Sequence, residues 1–149
     1  PMKNEFDTSF GFLVHDIARL MRWNFDRQSA GLGLTRAQWS VLAHLNRSDG
    51  VQQKTLAQLI DIKPITLARH IDRLEAEGWV ERRDDPDDRR AKRVFLSPKS
   101  TPMLDSLRKL GQKVRKQAMQ GVSAEEETLM LEVMLRIRDN LTDSRGSSS

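Results

Sequence analysis

Apolar residues recur at helical spacing along most of the chain and switch to a strand-like pattern in one place. From about Thr8 to Ala30, Phe10, Leu13, Val14, Ile17, Met21 and Phe25 follow one helical stripe. Phe6, Phe12, Ala18 and Trp23 widen it beyond what a single-faced amphipathic helix needs. Gly31-Leu32-Gly33 ends that helix. Thr35, with Gln38 three residues on, predicts the capped start of a short second helix, whose buried face holds Trp39, Leu42 and Leu45. The cluster Asn46-Arg47-Ser48-Asp49-Gly50 predicts a turn. A third helix follows from about Gln53 to Ile60, with Leu56, Ala57 and Ile60 inward. Pro64 suits the first turn of a fourth helix, where its missing N–H costs nothing, and Leu67, Ile71 and Leu74 form the inner face. Gly78 is placed to stop it.

Beyond Gly78 the pattern changes. Trp79–Arg83 and Lys92–Leu96 read as two strands, and Asp84-Asp85-Pro86-Asp87-Asp88 between them reads as the turn region of a hairpin. Ser97-Pro98 resembles a helix start, but Pro102 conflicts with it, so the fifth helix is expected to begin properly only after Thr101. Its inner residues are Leu104, Leu107, Leu110, Val114 and Ala118, with Arg108, Lys109, Lys113, Arg115 and Lys116 outside. Gly121 stops it. Ser123 and Glu126 form a second capping box ahead of a last helix, which carries Leu129, Met130, Val133, Met134, Ile137 and Leu141, with Leu131 and Leu135 on other faces.

Composition narrows the class. The 149 residues suffice for one domain with a hydrophobic core, and 31% charged with 38% hydrophobic residues is a globular rather than a disordered balance. The net charge of +4 is modest, so its placement matters more than its size. There are no cysteines, which excludes disulfides, cysteine metal sites and thiol-based peroxide sensing, and fits a cytoplasmic protein. No apolar run approaches the roughly 18 residues that a membrane span needs, and Pro1–Glu5 carry no secretory pattern. The end of the chain, Ser144-Arg145-Gly146-Ser147-Ser148-Ser149, reads as a flexible tail.

The chemistry concentrates between Thr55 and Leu96. A short helix, a tight connection, a second helix and a charged hairpin follow the order of a winged helix-turn-helix. Opposite its apolar face, the fourth helix offers Thr66, Arg69, His70 and Arg73, with Ile65 at its exposed N-terminal end. Donors, a hydroxyl and an apolar atom for a thymine methyl are what reading base edges in a major groove requires. On the helix alone, a solvated charged face explains the same residues. The hairpin adds Arg82, Arg83, Arg89, Arg90, Lys92 and Arg93 around four aspartates. An arginine at a hairpin tip fits a narrow minor groove, and a neighbouring aspartate orients it or braces the turn. The alternative is a hairpin whose mixed charges keep its edge from aggregating.

The segment Leu56–Pro102 resembles the MarR family of bacterial regulators, particularly its SlyA-like branch. The residues that carry the resemblance are Ile65-Thr66-Leu67-Ala68-Arg69, Leu74-Glu75-Ala76-Glu77-Gly78-Trp79-Val80-Glu81-Arg82, Asp88-Arg89-Arg90-Ala91-Lys92-Arg93 and Leu96-Ser97. It implies a mainly α fold with a small β hairpin: a winged helix-turn-helix domain flanked by N- and C-terminal dimerisation helices. One protomer then spans 1–142, with a DNA-binding lobe over 35–97, dimerisation helices over 6–31 and 102–142, and a tail over 143–149. The resemblance further implies a homodimer on pseudo-palindromic double-stranded DNA, acting as a repressor or anti-silencing regulator. It places the recognition helix at Ile65–Glu77, with Ile65, Thr66, Arg69 and His70 facing bases or phosphates. The wing aspartate corresponds to Asp88 and the minor-groove arginine to Arg90, with Arg89 close by. Arg73, Lys92 and Arg93 are expected to meet phosphates. Dimerisation agrees with the independent observation that the first and last helices are apolar on more than one face, although packing of the two on each other within one chain explains the same pattern.

The resemblance also implies release from DNA by a small aromatic or anionic ligand. His15, Arg19, Trp23 and Trp39 are the candidates for its pocket, although Trp39 on a buried helix face also reads as core. His15, His44 and His70 lie on different segments, so no metal site and no cofactor is expected. Asp7, Ser9, His15 and Asp16 are reactive residue types, but no glycine-rich phosphate loop or nucleophile elbow accompanies them, so an enzyme is not expected. A winged helix used only for protein contacts predicts an apolar outward face on the fourth helix, which Arg69, His70 and Arg73 contradict.

Overall fold

The computed structural model describes residues 8–146. Phe6 and Asp7, the opening Pro1–Glu5 and the final three serines lie outside them. The elements are α1 (Phe10–Ser29), a 3-10 turn (Ala30–Leu32), α2 (Arg36–Arg47), α3 (Gln53–Ile60), α4 (Pro64–Ala76), β1 (Val80–Asp85), β2 (Asp88–Leu96), α5 (Ser100–Ala118) and α6 (Ala124–Gly146). Two compact units divide the chain, one ending at Val114 and one beginning at Arg115.

The core of the first unit is a single cluster. Val41, Leu42 and Leu45 of α2, Leu56 and Ala57 of α3, Leu67, Ile71 and Leu74 of α4, Val80 and Val94 of the hairpin and Leu107 of α5 are all buried in it. Local signals set the helix boundaries as the sequence predicts. The Thr35 hydroxyl accepts from the Gln38 N–H, and the Gln38 side chain accepts from the Thr35 N–H, so two donors at the start of α2 are satisfied reciprocally. Pro64 occupies the first turn of α4. At the other end Gly78 takes φ +84, the left-handed conformation that follows a helix C-terminus.

Three boundaries differ from expectation. The turn of the hairpin is Pro86-Asp87 alone, because Asp84, Asp85 and Asp88 all lie within the strands. Asp85 stays in the ladder because it is buried with partners of its own, described below. Helix α5 starts at Ser100, not after Thr101. Pro102 is tolerated because the first-turn N–H groups of a helix have no intrahelical acceptor, and the Ser100 N–H and hydroxyl both go to the Ser97 carbonyl at 3.0 and 2.6 Å. Helix α6 runs through Gly146, past residue 142 where the tail was expected. Nothing before Gly146 breaks it, and Thr142 donates back to the Arg138 carbonyl at 2.9 Å.

One pairing has no counterpart in the sequence pattern. The link between α2 and α3 lies alongside β2 as a short third edge. Gly50 N–H donates to the Val94 carbonyl and Val94 N–H to the Val51 carbonyl, both at 2.9 Å, and Gln52 bridges to Arg93. The Asp49 carboxylate accepts the Leu96 N–H at 2.8 Å. The hairpin is thereby tied to the start of α3 by main chain. Gly50 has φ +79, and a Cβ there would sit 2.7 Å from the Phe95 ring, which is itself covered by the Arg83 guanidinium at 4.1 Å.

Both terminal helices present apolar side chains to the outside. Phe10, Phe12, Leu13, Val14, Ile17, Leu20, Met21 and Trp23 of α1 are exposed, as are Leu129, Leu131, Val133, Met134, Leu135 and Leu141 of α6. The Ser123–Glu126 capping box forms at the start of α6, with bonds of 2.9 and 3.1 Å.

Two substitutions test this packing. Leu67→Ala should destabilise the domain by about 2–5 kcal/mol, as removal of a fully buried leucine does. Gly50→Ala should cost about 1–3 kcal/mol, through its positive φ and its clash with Phe95. Urea melts of both check this, and wild-type stability in either would contradict the packing described.

Candidate nucleic-acid interface

Because Leu67, Ile71 and Leu74 are fully buried, the opposite side of α4 is held outward. Ile65, Thr66, Arg69 and Arg73 are exposed there, and His70 is half-buried at the margin. Ile65, at the N-terminal end of α4, is 66% exposed. No side chain caps the N-terminus of α4, so its first N–H groups face outward with the positive end of the helix dipole.

The basic residues fall into two groups by what holds them. Arg69 and Arg73 on α4, and Arg89 and Arg90 on the hairpin, are exposed and make no ion pair among the described residues. The others are engaged. Arg82 is clamped by Asp72 and Glu75 of α4, with Glu75 also accepting its backbone N–H at 2.9 Å. Arg83 pairs with Glu81 at 3.2 Å and stacks on Phe95. Lys92 pairs with Asp84, an exposed contact that exchanges readily with solvent.

Arg93, expected at a phosphate, is held at the root of the hairpin. Its guanidinium donates to Asp85 at 3.0 Å and to the Gly50 carbonyl at 3.0 Å. With these two bonds it braces the root of the hairpin. Asp88 accepts the Arg90 backbone N–H at 2.9 Å. It therefore shapes the strand that carries the arginines.

A bracing aspartate is expected near the turn, but no local pattern singles out Asp85, or Glu75 on α4, for that part. Asp85 is 3% exposed. It accepts the Asp87 N–H at 2.8 Å, the Gln52 amide at 2.7 Å and the Arg93 guanidinium. These bonds, the Asp87 N–H foremost and the Gln52 amide next, hold its carboxyl below the usual aspartate value against the opposing effect of burial. Glu75 is held low in the same way, first by the Arg82 backbone N–H and then by its guanidinium. Gln52 stands 33 residues from Asp85, so no local pattern links the two.

The ligand candidates are not gathered into a cavity. His15, Arg19 and Trp23 lie on successive turns of α1 and are exposed; Arg19 sits 3.8 Å from Asp16, and Trp23 lies under the Arg27 guanidinium at 4.8 Å. The Trp39 ring packs tilted against Phe25, with centroids 4.3 Å apart, and its indole N–H donates to Asp26 at 2.7 Å, an anchored structural position. An open groove of about 650 Å³ is lined by other side chains, among them Asn46, Asp49, Leu96, Thr101 and Arg108. No group of three or more potential metal ligands occurs among the described residues, and no described helix is long and apolar enough to cross a membrane.

With this geometry in hand, known proteins supply a context. A sequence profile of the MarR family matches residues 34–92. The crystal structure of the transcriptional regulator PA3341 is 38% identical, with a TM-score of 0.80 over 91% of this chain and 99% of that one. The transcriptional regulator SlyA is 27% identical, with a TM-score of 0.76 over 92% and 96% of the two chains. A MarR variant from E. coli, solved in complex with operator DNA, is 22% identical and shares the fold at a TM-score of 0.72 over 91% and 99%.

A pH dependence follows from Asp85. A carboxyl whose folded pKa lies below its unfolded value of about 3.8 adds stability above that pH, and the contribution is lost as pH falls through the folded value. Acid titration of the fold should therefore show wild type losing more stability below about pH 4 than Asp85→Asn does. Parallel acid limbs for the two proteins would contradict the assigned bonds.

Proposed function

Since the chain belongs to the MarR family, we propose that it is a transcription regulator that binds double-stranded DNA as a homodimer, in the cytoplasm where that DNA lies. The observation that carries this reading is the division of the basic side chains. Those engaged by acids hold the hairpin and α4 in place, and Arg69, Arg73, Arg89 and Arg90, which make no ion pair among the described residues, stand exposed on the helix and wing. Each α4 enters a major groove, with the two helices about one helical turn apart on an imperfect palindrome. Ile65, Thr66, Arg69 and His70 face base edges. Arg73 and Lys92 meet phosphates, and the wing carries Arg90 to the flanking minor groove with Arg89 beside it. A second copy covers the exposed apolar residues of α1 and of α6. This arrangement suits a repressor or an anti-silencing regulator, which acts by occupying promoter DNA. Within the family we place the chain in the SlyA-like branch, on the wing run Asp88–Arg93.

Release by a small aromatic or anionic effector belongs to the same reading. His15, Arg19 and Trp23 on α1 are its candidates. Trp39 is set aside, because its indole N–H is already given to Asp26. A protein-contact module is disfavoured: Ile65 is the one large apolar residue on an outward face otherwise made by Thr66, Arg69 and Arg73.

Duplexes selected from genomic fragments, followed by fluorescence anisotropy, test the proposal. Arg90→Ala should weaken binding roughly tenfold or more while leaving the melt unchanged. Affinity should fall steeply with salt, by a log–log slope of about −0.9 per phosphate neutralised. Wild-type affinity for Arg90→Ala at moderate salt would remove the wing from the interface, and failure of the intact chain to retain any duplex would falsify the DNA reading.

A further inference from the structure

The hairpin changes register in the place where Arg89 and Arg90 sit. Below the change Asp84 lies opposite Lys92; above it Asp85 lies opposite Asp88. Arg89, Arg90 and Ala91 therefore fall between paired positions and form a bulge on β2. A bulge re-aims the side chains it carries. What fixes its aim is the residue at its neck.

That residue is Asp85, the one charged side chain that is buried among the described residues. One carboxylate oxygen holds the Asp87 N–H inside the turn; the other holds the Gln52 amide at the start of α3 and the Arg93 guanidinium below the bulge. Arg93 in turn grips the Gly50 carbonyl. A single carboxylate thus ties the tip of the wing, its root and the first helix of the helix-turn-helix pair. Burying a charge is expensive, and a well-packed apolar residue often serves stability as well. What the carboxylate adds is direction: three donors from three segments converge on it.

We infer that Asp85 is the positioning residue of the wing, a side chain that touches no DNA but sets where the bulge carrying Arg89 and Arg90 points relative to α4. The inference rests on the DNA-binding reading above. Asn is a sharp probe of it. Asp85→Asn keeps the volume, yet its amide NH₂ must face either the Asp87 N–H or the Gln52 and Arg93 donors, so at least one strand of the tie is lost.

A double-mutant cycle tests the inference, with anisotropy of the full chain on a selected duplex as the readout and thermal melts run alongside. Asp85→Asn should remain folded at the assay temperature and bind about tenfold more weakly. In that background Arg90→Ala should add less than about twofold, because the misdirected arginine has little left to lose, whereas Arg69→Ala should keep its full factor. A merely structural role would weaken helix and wing contacts alike and leave both arginine effects intact. Undiminished loss on Arg90→Ala in the Asp85→Asn background, or wild-type binding by Asp85→Asn, overturns the inference while the DNA reading stands. Absence of duplex binding by wild type overturns both. Should Asp85→Asn not fold, Gln52→Met removes one donor and keeps the Arg93 pair. The same selective coupling to Arg90, at smaller size, is then expected, and its absence counts against the inference equally.

Discussion

Burial of Leu67, Ile71 and Leu74 against the cluster from α2, α3 and the hairpin is the interaction on which the rest depends. With its inner face packed in the core, α4 holds Ile65, Thr66, Arg69 and Arg73 outward. An exposed arginine on a mobile helix would be an ordinary solvated charge. The same residue on a helix locked by three fully buried aliphatic side chains presents donors in a fixed direction, which is what recognition of a rigid partner requires.

The hairpin obtains its rigidity differently. It is too polar to be held by a core of its own, since Val80 and Val94 are its buried aliphatic residues. Main-chain pairing with Gly50–Gln52, the Arg83–Phe95 stack over Gly50, and the acids Asp72, Glu75 and Asp85 supply the missing constraints. Most of the charge in this region therefore does not face a partner at all. A modest net charge of +4 is compatible with DNA recognition because the acids of this region pair with the bracing cations and, among the described residues, leave Arg69, Arg73, Arg89 and Arg90 without an ion pair.

How much of this was readable from sequence follows from the range of each interaction. Elements set by local signals were legible: the Thr35–Gln38 box, Pro64 at the start of α4, Gly78 after its end, and the inward Leu67, Ile71 and Leu74. The outward residues of α4 were legible too, as the complement of that apolar face. The extent of the strands was not, because Asp85 remains in the ladder only through Gln52 and Arg93, and no periodicity reports a contact with a residue 33 positions away. For the same reason the bonds of Arg93 to Asp85 and to the Gly50 carbonyl leave no local signal. Trp39 carried a dual reading, and the bond of its indole to Asp26 on α1 favours the structural one.

The account depends on the wing arginines lying at the minor groove beside a major groove filled by α4. The chain has no cysteine, so Arg89→Cys offers a unique attachment point for an iron chelate that cleaves DNA within reach of the wing. Cleavage of a selected duplex at two positions related by twofold symmetry, one in each flanking minor groove, is the result this account predicts. Cleavage spread evenly along the duplex, or confined to its centre between the two major-groove contacts, would contradict it.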